Sequence, residues 1–241
     1  MFEVIITMLH RYSRLELIVG KEGFQRLANS TVAVFGLGGV GGGAVEALAR
    51  AGVGNLVLVD FDTVCVTNIN RQIIALESTI GRPKTEVMEE RVKEINPDCQ
   101  TICYNTKYTA ENSSQLLSTS YDYVIDAIDM VTSKLHLIES CYQQRIPIIS
   151  AMGAGNKLDP TKLQVVDISQ THICPLARVV RTELRKRGIN QGIQVVYSTE
   201  RPIRHNQGQN SRTPGSSSVV PPVAGFIMAS VVIRSILGIE G

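Results

Sequence analysis

Apolar positions follow two alternating patterns along the first two thirds of the chain. TVAVF (Thr31 to Phe35), LVLVD (Leu56 to Asp60), YVIDA (Tyr123 to Ala127) and PIISA (Pro147 to Ala151) are short continuous runs. Such runs have the length and character of strands buried on both faces. A further strand is predicted over Thr101 to Tyr104. Helical segments lie between them. Gly39 to Ala51 predicts one, and Pro83 opens another, KTEVMEERVKEI, at a first-turn position where proline is tolerated. A third separates YVIDA from PIISA. Strands alternating with helices predict an α/β fold with a Rossmann-like, doubly wound, mostly parallel sheet. Ligands of such sheets sit beyond the carboxyl ends of the strands, near a switch in strand order. Asp60 and Asp129 fall at or just beyond such ends.

The pattern changes after Gly153. GAGNKLDPTKLQVVDI predicts a turn and a strand of a different kind, followed by a basic helix and the strand QVVYS. TERPIRHNQGQNSRTPGSSS is polar, rich in Gly, Pro and Ser, and reads as a loop. The longest apolar run, VAGFIMASVVI (Val223 to Ile233), has about half the residues needed to span a bilayer. Pro221 and Pro222 precede it and Arg234 ends it, which predicts a buried C-terminal helix. MFEVIITMLH has no basic n-region, and its apolar run is too short for a signal peptide.

A length of 241 residues suits one sizeable core with an appendage. The net charge of +2 does not by itself imply a polyanionic partner. Five cysteines are an odd count with no CxxC pair, which argues against a disulfide framework and against a four-thiolate zinc site. A cytoplasmic location and no zinc are therefore expected.

The candidate chemistry begins at VFGLGGVGGG. Gly36, Gly38 and Gly41 form GxGxxG between a strand and a helix, where backbone can approach a phosphate and a helix N-terminus supplies amide donors. Asp60, ending the next strand, is placed to bind ribose hydroxyls. Alone, these features fit NAD at least as well as ATP. The following residues reverse the balance. DFDTVCVTNINRQ and GRPK place Asn68, Arg71 and Lys84 just beyond the acid. A triphosphate carries about twice the charge of a dinucleotide pyrophosphate, and its chemistry calls for Arg, Lys and a metal ion. Asp129 in DAIDM could hold Mg²⁺, or could simply cap the next helix.

GLGGVG, DFDTV, TNINRQ, GRPK and DAID, in this order, resemble the adenylating family of the ubiquitin-activating enzymes and their bacterial relatives ThiF and MoeB. The resemblance implies a single adenylating domain over 1–241, with an ATP-binding Rossmann-like part over 11–152 and a C-terminal substrate-binding part over 153–241. It implies ATP and Mg²⁺ as cofactors. Gly36, Gly38, Gly39, Gly41, Asp60, Asp62, Asn68, Arg71 and Lys84 would hold the nucleotide, with Asp129 at the metal. RYSR matches a family segment whose arginine reaches into the neighbouring subunit's site, so Arg14 would act in trans within a homodimer. Arg14, Arg71, Lys84 and Asp129 would be the catalytic set.

AGNKLDPTKLQVVDI, CPLARVVRTELRKRGI, VVYSTERP and GSSSVVPPVAGFIMAS resemble a narrower group, the tRNA threonylcarbamoyladenosine dehydratases. That resemblance implies adenylation of the threonylcarbamoyl carboxylate on tRNA, then cyclisation with loss of AMP. Some members have a cysteine before the C-terminal AGF, and sulfur-carrier partners. This chain has VVPPVAGF there, which argues against a thioester route and such a partner. Cys65 reads as packing, and Cys174 as a buried cysteine at a helix start. Eight of the 24 Lys and Arg residues, and only two of the 22 Asp and Glu residues, lie between Ala177 and Arg212. Arg178, Arg181 and Arg185 share a helix face, with Arg201 and Arg204 in the polar loop, and together they form a candidate tRNA-binding face.

Overall fold

The computed structural model describes residues 10–118, 120–203 and 214–239. Seven strands form one sheet: β1 (Thr31–Phe35), β2 (Asn55–Val59), β3 (Gln100–Tyr104), β4 (Tyr123–Asp126), β5 (Ile148–Ala151), β6 (Leu163–Asp167) and β7 (Gln194–Ser198). Their order is β3-β2-β1-β4-β5-β7-β6. All neighbours pair in parallel except the edge pair β6 and β7, which is antiparallel. The strand of a different kind predicted after Gly153 is this antiparallel edge. Each expected strand is present to within about a residue, as is usual for element ends.

The helices are α1 (Ser13–Ala28), α2 (Gly39–Arg50), α3 (Lys84–Ile95), α4 (Ser113–Leu116), α5 (Val131–Gln144), α6 (Pro175–Lys186) and α7 (Val220–Leu237). Strand side chains alternate between faces. Val32 and Val34 of β1 join Leu56 and Leu58 of β2 in a core closed by α2, α3 and α7. Ala33 and Phe35 join Val57 and Val59 in a second core under α5 and α6. Both faces are thus covered, so the strands can be continuously apolar.

α7 is longer than the apolar run suggested, since Pro221 and Pro222 sit in its first turn. It is long and apolar enough to cross a membrane (mean hydropathy 1.8), yet half of it is buried within the fold. Its seat is α2. A Cβ at Gly43 would lie 2.7 Å from the Pro222 carbonyl oxygen, and one at Gly225 would overlap the Val40 carbonyl oxygen. Two glycines therefore let the helix backbones meet, and α7 braces the helix that carries the glycine loop.

Gly225→Ala should lower the unfolding free energy by about 1–3 kcal/mol, the usual cost of one methyl forced into a packed contact. Urea denaturation measures this, and an unchanged midpoint would contradict the close crossing.

Candidate functional site

β1 pairs with β2 on one side and β4 on the other, so the strand order switches there and a crevice opens beyond the carboxyl ends. Gly36 leaves β1 with φ of 91°, and its N–H donates to the Val59 carbonyl at 2.8 Å. A Cβ at Gly36 would stand 2.7 Å from the Ala127 carbonyl oxygen, so both conformation and space demand glycine. A Cβ at Gly41 would overlap the Gly36 carbonyl oxygen. Gly41 therefore lets α2 close onto the turn, whereas Gly38 and Gly39 line the crevice. Asp60 braces this loop from beneath. One carboxylate oxygen accepts from the Leu37 N–H at 2.6 Å and the other from the Asp62 N–H at 2.8 Å.

The crevice is a cavity of about 670 Å³, and Gly36, Gly38, Gly39, Asp60, Asp62, Asn68, Arg71, Lys84 and Asp129 all line it. Lys84 begins α3, is 4% exposed, and its Nζ lies 2.8 Å from Asp62 Oδ2. Arg71 is steered by Nη1 donating to the Thr67 carbonyl and to Asn70 Oδ1, both at 2.9 Å. Asn68 Oδ1 accepts from the Cys65 N–H at 3.1 Å. Asp129 is exposed, and no hydrogen bond or ion pair among the described residues holds its carboxylate. It does not cap α5, whose N-cap is Met130.

Arg14 is exposed on α1 and does not line this cavity. Sequence reasoning missed several lining residues: Gln72, Pro221 and the Thr106–Lys107–Tyr108 segment. That segment follows the carboxyl end of β3, so the strand-end rule could have found it. Gln72 Oε1 is buried with no hydrogen-bond partner among the described residues.

No cluster of three or more His, Cys, Asp or Glu among the described residues could cage a metal. A single free carboxylate beside cationic side chains suits Mg²⁺, which keeps most of its ligands from phosphate and water.

The expectation that Cys65 is a packing residue is corrected. It is exposed and lines the cavity, because Asn68 ties its backbone into a short turn with the side chain outward. The Thr67 hydroxyl donates to Sγ at 3.3 Å, and that bond, followed by the Thr67 N–H, lowers its thiol below the usual range. Burial instead pushes Cys99 up to about 11, and Cys103 and Cys141 up to about 12. Cys174 is buried at the N-cap of α6, as expected.

The basic face is narrower than its spacing suggested. Arg178 and Arg185 are exposed, but Arg181 is half-buried, its Nη1 donating to the Thr171 carbonyl at 2.6 Å and to Thr171 Oγ1 at 2.5 Å. A Gly153 Cβ would meet Cys174 Sγ at 3.4 Å, so α6 starts beside the end of β5. Arg178 is near that end, and Arg185 lies roughly 10 Å further along the axis. Arg201 is exposed; Arg204 and the rest of the polar loop through residue 213 lie outside the described residues.

Comparison with known proteins matches residues 11–241 to the ThiF family. The chain belongs to the ThiF family. The tRNA threonylcarbamoyladenosine dehydratase of Bacillus subtilis is 49% identical over 95% of this chain and 96% of its own length. A solved structure of the Escherichia coli tRNA N6-threonylcarbamoyladenosine dehydratase in complex with ATP superposes with a TM-score of 0.89. It has 37% identity and covers 95% of this chain and 94% of that chain. The Escherichia coli sulfur carrier protein ThiS adenylyltransferase is 37% identical, over 61% of this chain and 60% of its own length.

Limited treatment with iodoacetamide at neutral pH should label Cys65 first, since thiolate content and exposure govern reactivity. Peptide mass mapping reads this. Earlier labelling of Cys99, Cys103 or Cys141 would contradict the described geometry.

Proposed function

We propose that the chain is an ATP-dependent tRNA threonylcarbamoyladenosine dehydratase. One observation carries the reading. In a chain whose similarity to such dehydratases runs almost end to end, one crevice gathers a glycine loop, Arg71, Lys84 and an Asp129 carboxylate with no partner among the described residues. A dinucleotide site needs the glycines and Asp60, but it has no use for two cations and a free carboxylate. A triphosphate uses all of them.

The chain's residues divide the work. The Gly38–Gly39 backbone starts α2 on the crevice wall, where its N–H groups can meet phosphate and where a Cβ at Gly39 would run into Pro221 Cβ at 2.9 Å. Asp60 is the ribose acid, with both carboxylate oxygens already fixed by backbone N–H groups. Lys84 exchanges its ion pair with Asp62 for phosphate oxygens, while Arg71 and Asn68 approach the departing pyrophosphate. Asp129 is the carboxylate ligand for Mg²⁺, which when bound would neutralise phosphate charge. Arg14 completes the site from a second copy of the chain, making the enzyme a homodimer.

The substrate carboxylate oxygen bonds to the α-phosphorus and the bond to pyrophosphate breaks. A nucleophilic atom of the same threonylcarbamoyl group then attacks the activated carbonyl, its proton is lost, and AMP leaves. The nucleoside is one water lighter. Because the nucleophile is internal, orientation supplies much of the rate and no protein thiol is required. Cys174, buried, is not placed as a carrier. Arg178, Arg185 and Arg201 form the described part of a tRNA-contacting face, with Arg181 fixing the α6 start through Thr171. Residues 153–241 supply this side of the site. The reaction belongs in the cytoplasm, where tRNA is found.

Activation of a sulfur-carrier protein is the second reading, favoured by the 37% identity to the ThiS adenylyltransferase. Exchange of labelled pyrophosphate into ATP separates the two. It should depend on tRNA carrying threonylcarbamoyladenosine and not on a carrier ending in Gly-Gly; the reverse dependence would overturn the dehydratase reading. Arg71→Ala and Lys84→Ala should each lower that exchange by about 100-fold, the scale of losing one preorganised transition-state donor.

The shared site has its own test. Arg14→Ala and Asp129→Ala should each be inactive alone, and mixing them should restore roughly a quarter of wild-type activity, as one intact site in two forms in half the dimers. No recovery in demonstrated mixed dimers would contradict an arginine supplied in trans.

A further inference from the structure

Three polar side chains lie beneath the crevice with no exposure at all. Asp126 ends β4, Ser150 is in β5 and Lys134 is in the second turn of α5, and each is 0% exposed. Lys134 Nζ lies 2.6 Å from Asp126 Oδ2, and Ser150 Oγ donates to the same oxygen at 2.5 Å. Lys134 Nζ also reaches Ser150 Oγ at 3.2 Å. The other carboxylate oxygen, Oδ1, accepts from the Ile128 N–H at 3.0 Å.

This arrangement is a poor choice for stability alone. Burying an ion pair costs desolvation that its attraction barely recovers, and an apolar replacement is often neutral or stabilising. What the carboxylate does that an apolar group cannot is fix a turn. The Oδ1 bond to Ile128 holds Ala127 to Asp129 in one conformation, while Lys134 and Ser150 hold Oδ2 so that the carboxylate cannot rotate. The Ala127 carbonyl in that turn is the surface against which Gly36 packs, and Ala127 Cβ would meet a Gly41 Cβ at 3.3 Å. One buried group therefore sets both Asp129 and the floor of the glycine loop.

We propose that Asp126, clamped by Lys134 and Ser150, is a positioning residue that sets the Asp129 carboxylate for Mg²⁺–ATP. The proposal rests on the nucleotide reading above. It assigns Lys134 a role although it does not line the cavity.

The test compares two charge-free pairs in the full-length protein. Asp126→Leu/Lys134→Met removes the turn acceptor without stranding a charge. Asp126→Asn/Lys134→Met is equally neutral but retains an oxygen for the Ile128 N–H. Two readouts other than turnover are taken: amide exchange at Ile128, and the ratio of ATP affinities with and without Mg²⁺ by calorimetry. The Leu/Met pair should exchange Ile128 at least about tenfold faster and lose about tenfold of the Mg²⁺ enhancement, the lower end for loss of an outer-shell partner. The Asn/Met pair should stay within about threefold of wild type on both. A folded Leu/Met pair with wild-type protection and Mg²⁺ enhancement would overturn the proposal and leave the triad a packing device. If that pair does not fold, Ser150→Ala serves instead, with a decrease of about threefold in the enhancement expected and no change contradicting the clamp. Wild-type protein that binds no Mg²⁺–ATP would overturn the nucleotide reading, and the proposal with it; Ile128 exchange would then report only on the turn.

Discussion

The site depends on the approach of two turns at the β1/β4 switch. Gly36 reaches the Ala127 carbonyl at a distance no side chain would allow, and Gly41 brings α2 down onto the same point. A carboxylate secures each turn: Asp60 binds the Leu37 N–H of the glycine loop, and Asp126 binds the Ile128 N–H of the other. Both acids end or follow parallel strands whose hydrogen bonding has run out, where backbone N–H groups need new acceptors. The crevice is thus made of backbone held by buried carboxylates, and the cavity-facing charges are arranged on top.

Charge is arranged by place rather than amount. The net charge is small, yet Lys84 and Arg71 face the cavity and Arg178, Arg185 and Arg201 face solvent beyond it. Lys84 is nearly buried, and its pairing with Asp62 orients it toward the cavity. α7 secures the other side, since Gly43 and Gly225 let it lie against α2 and carry Pro221 to the cavity wall. The buried C-terminal helix expected from the apolar run is here the backing of the glycine loop.

Much of this was legible in the sequence because its cause is local. Continuous apolar runs fix buried parallel strands, and the expected ends of β1, β3, β4 and α3 agree with the structure to within a residue. The lining of the crevice was legible because strand ends fall in one place in such sheets: of the glycines, acids, Asn68, Arg71 and Lys84 expected there, only Gly41 does not line it. What was not legible depends on contacts remote in sequence. Lys134 lies in a helix, where a lysine reads as surface charge, and only the packing of α5 on β4 and β5 buries it. Arg181 shares a helix face with Arg178 and Arg185, but Thr171 captures it. Cys65 looked like a small apolar filler because the turn that exposes it is set by the Asn68 side chain.

In this reading the crevice activates a carboxylate on tRNA so that the side chain closes on itself. The most direct measurement incubates the protein with ATP, Mg²⁺ and tRNA carrying threonylcarbamoyladenosine, then weighs the digested nucleoside and counts AMP. The expected product is a nucleoside lighter by one water, with one AMP formed for each. AMP formation with the nucleoside mass unchanged would contradict it.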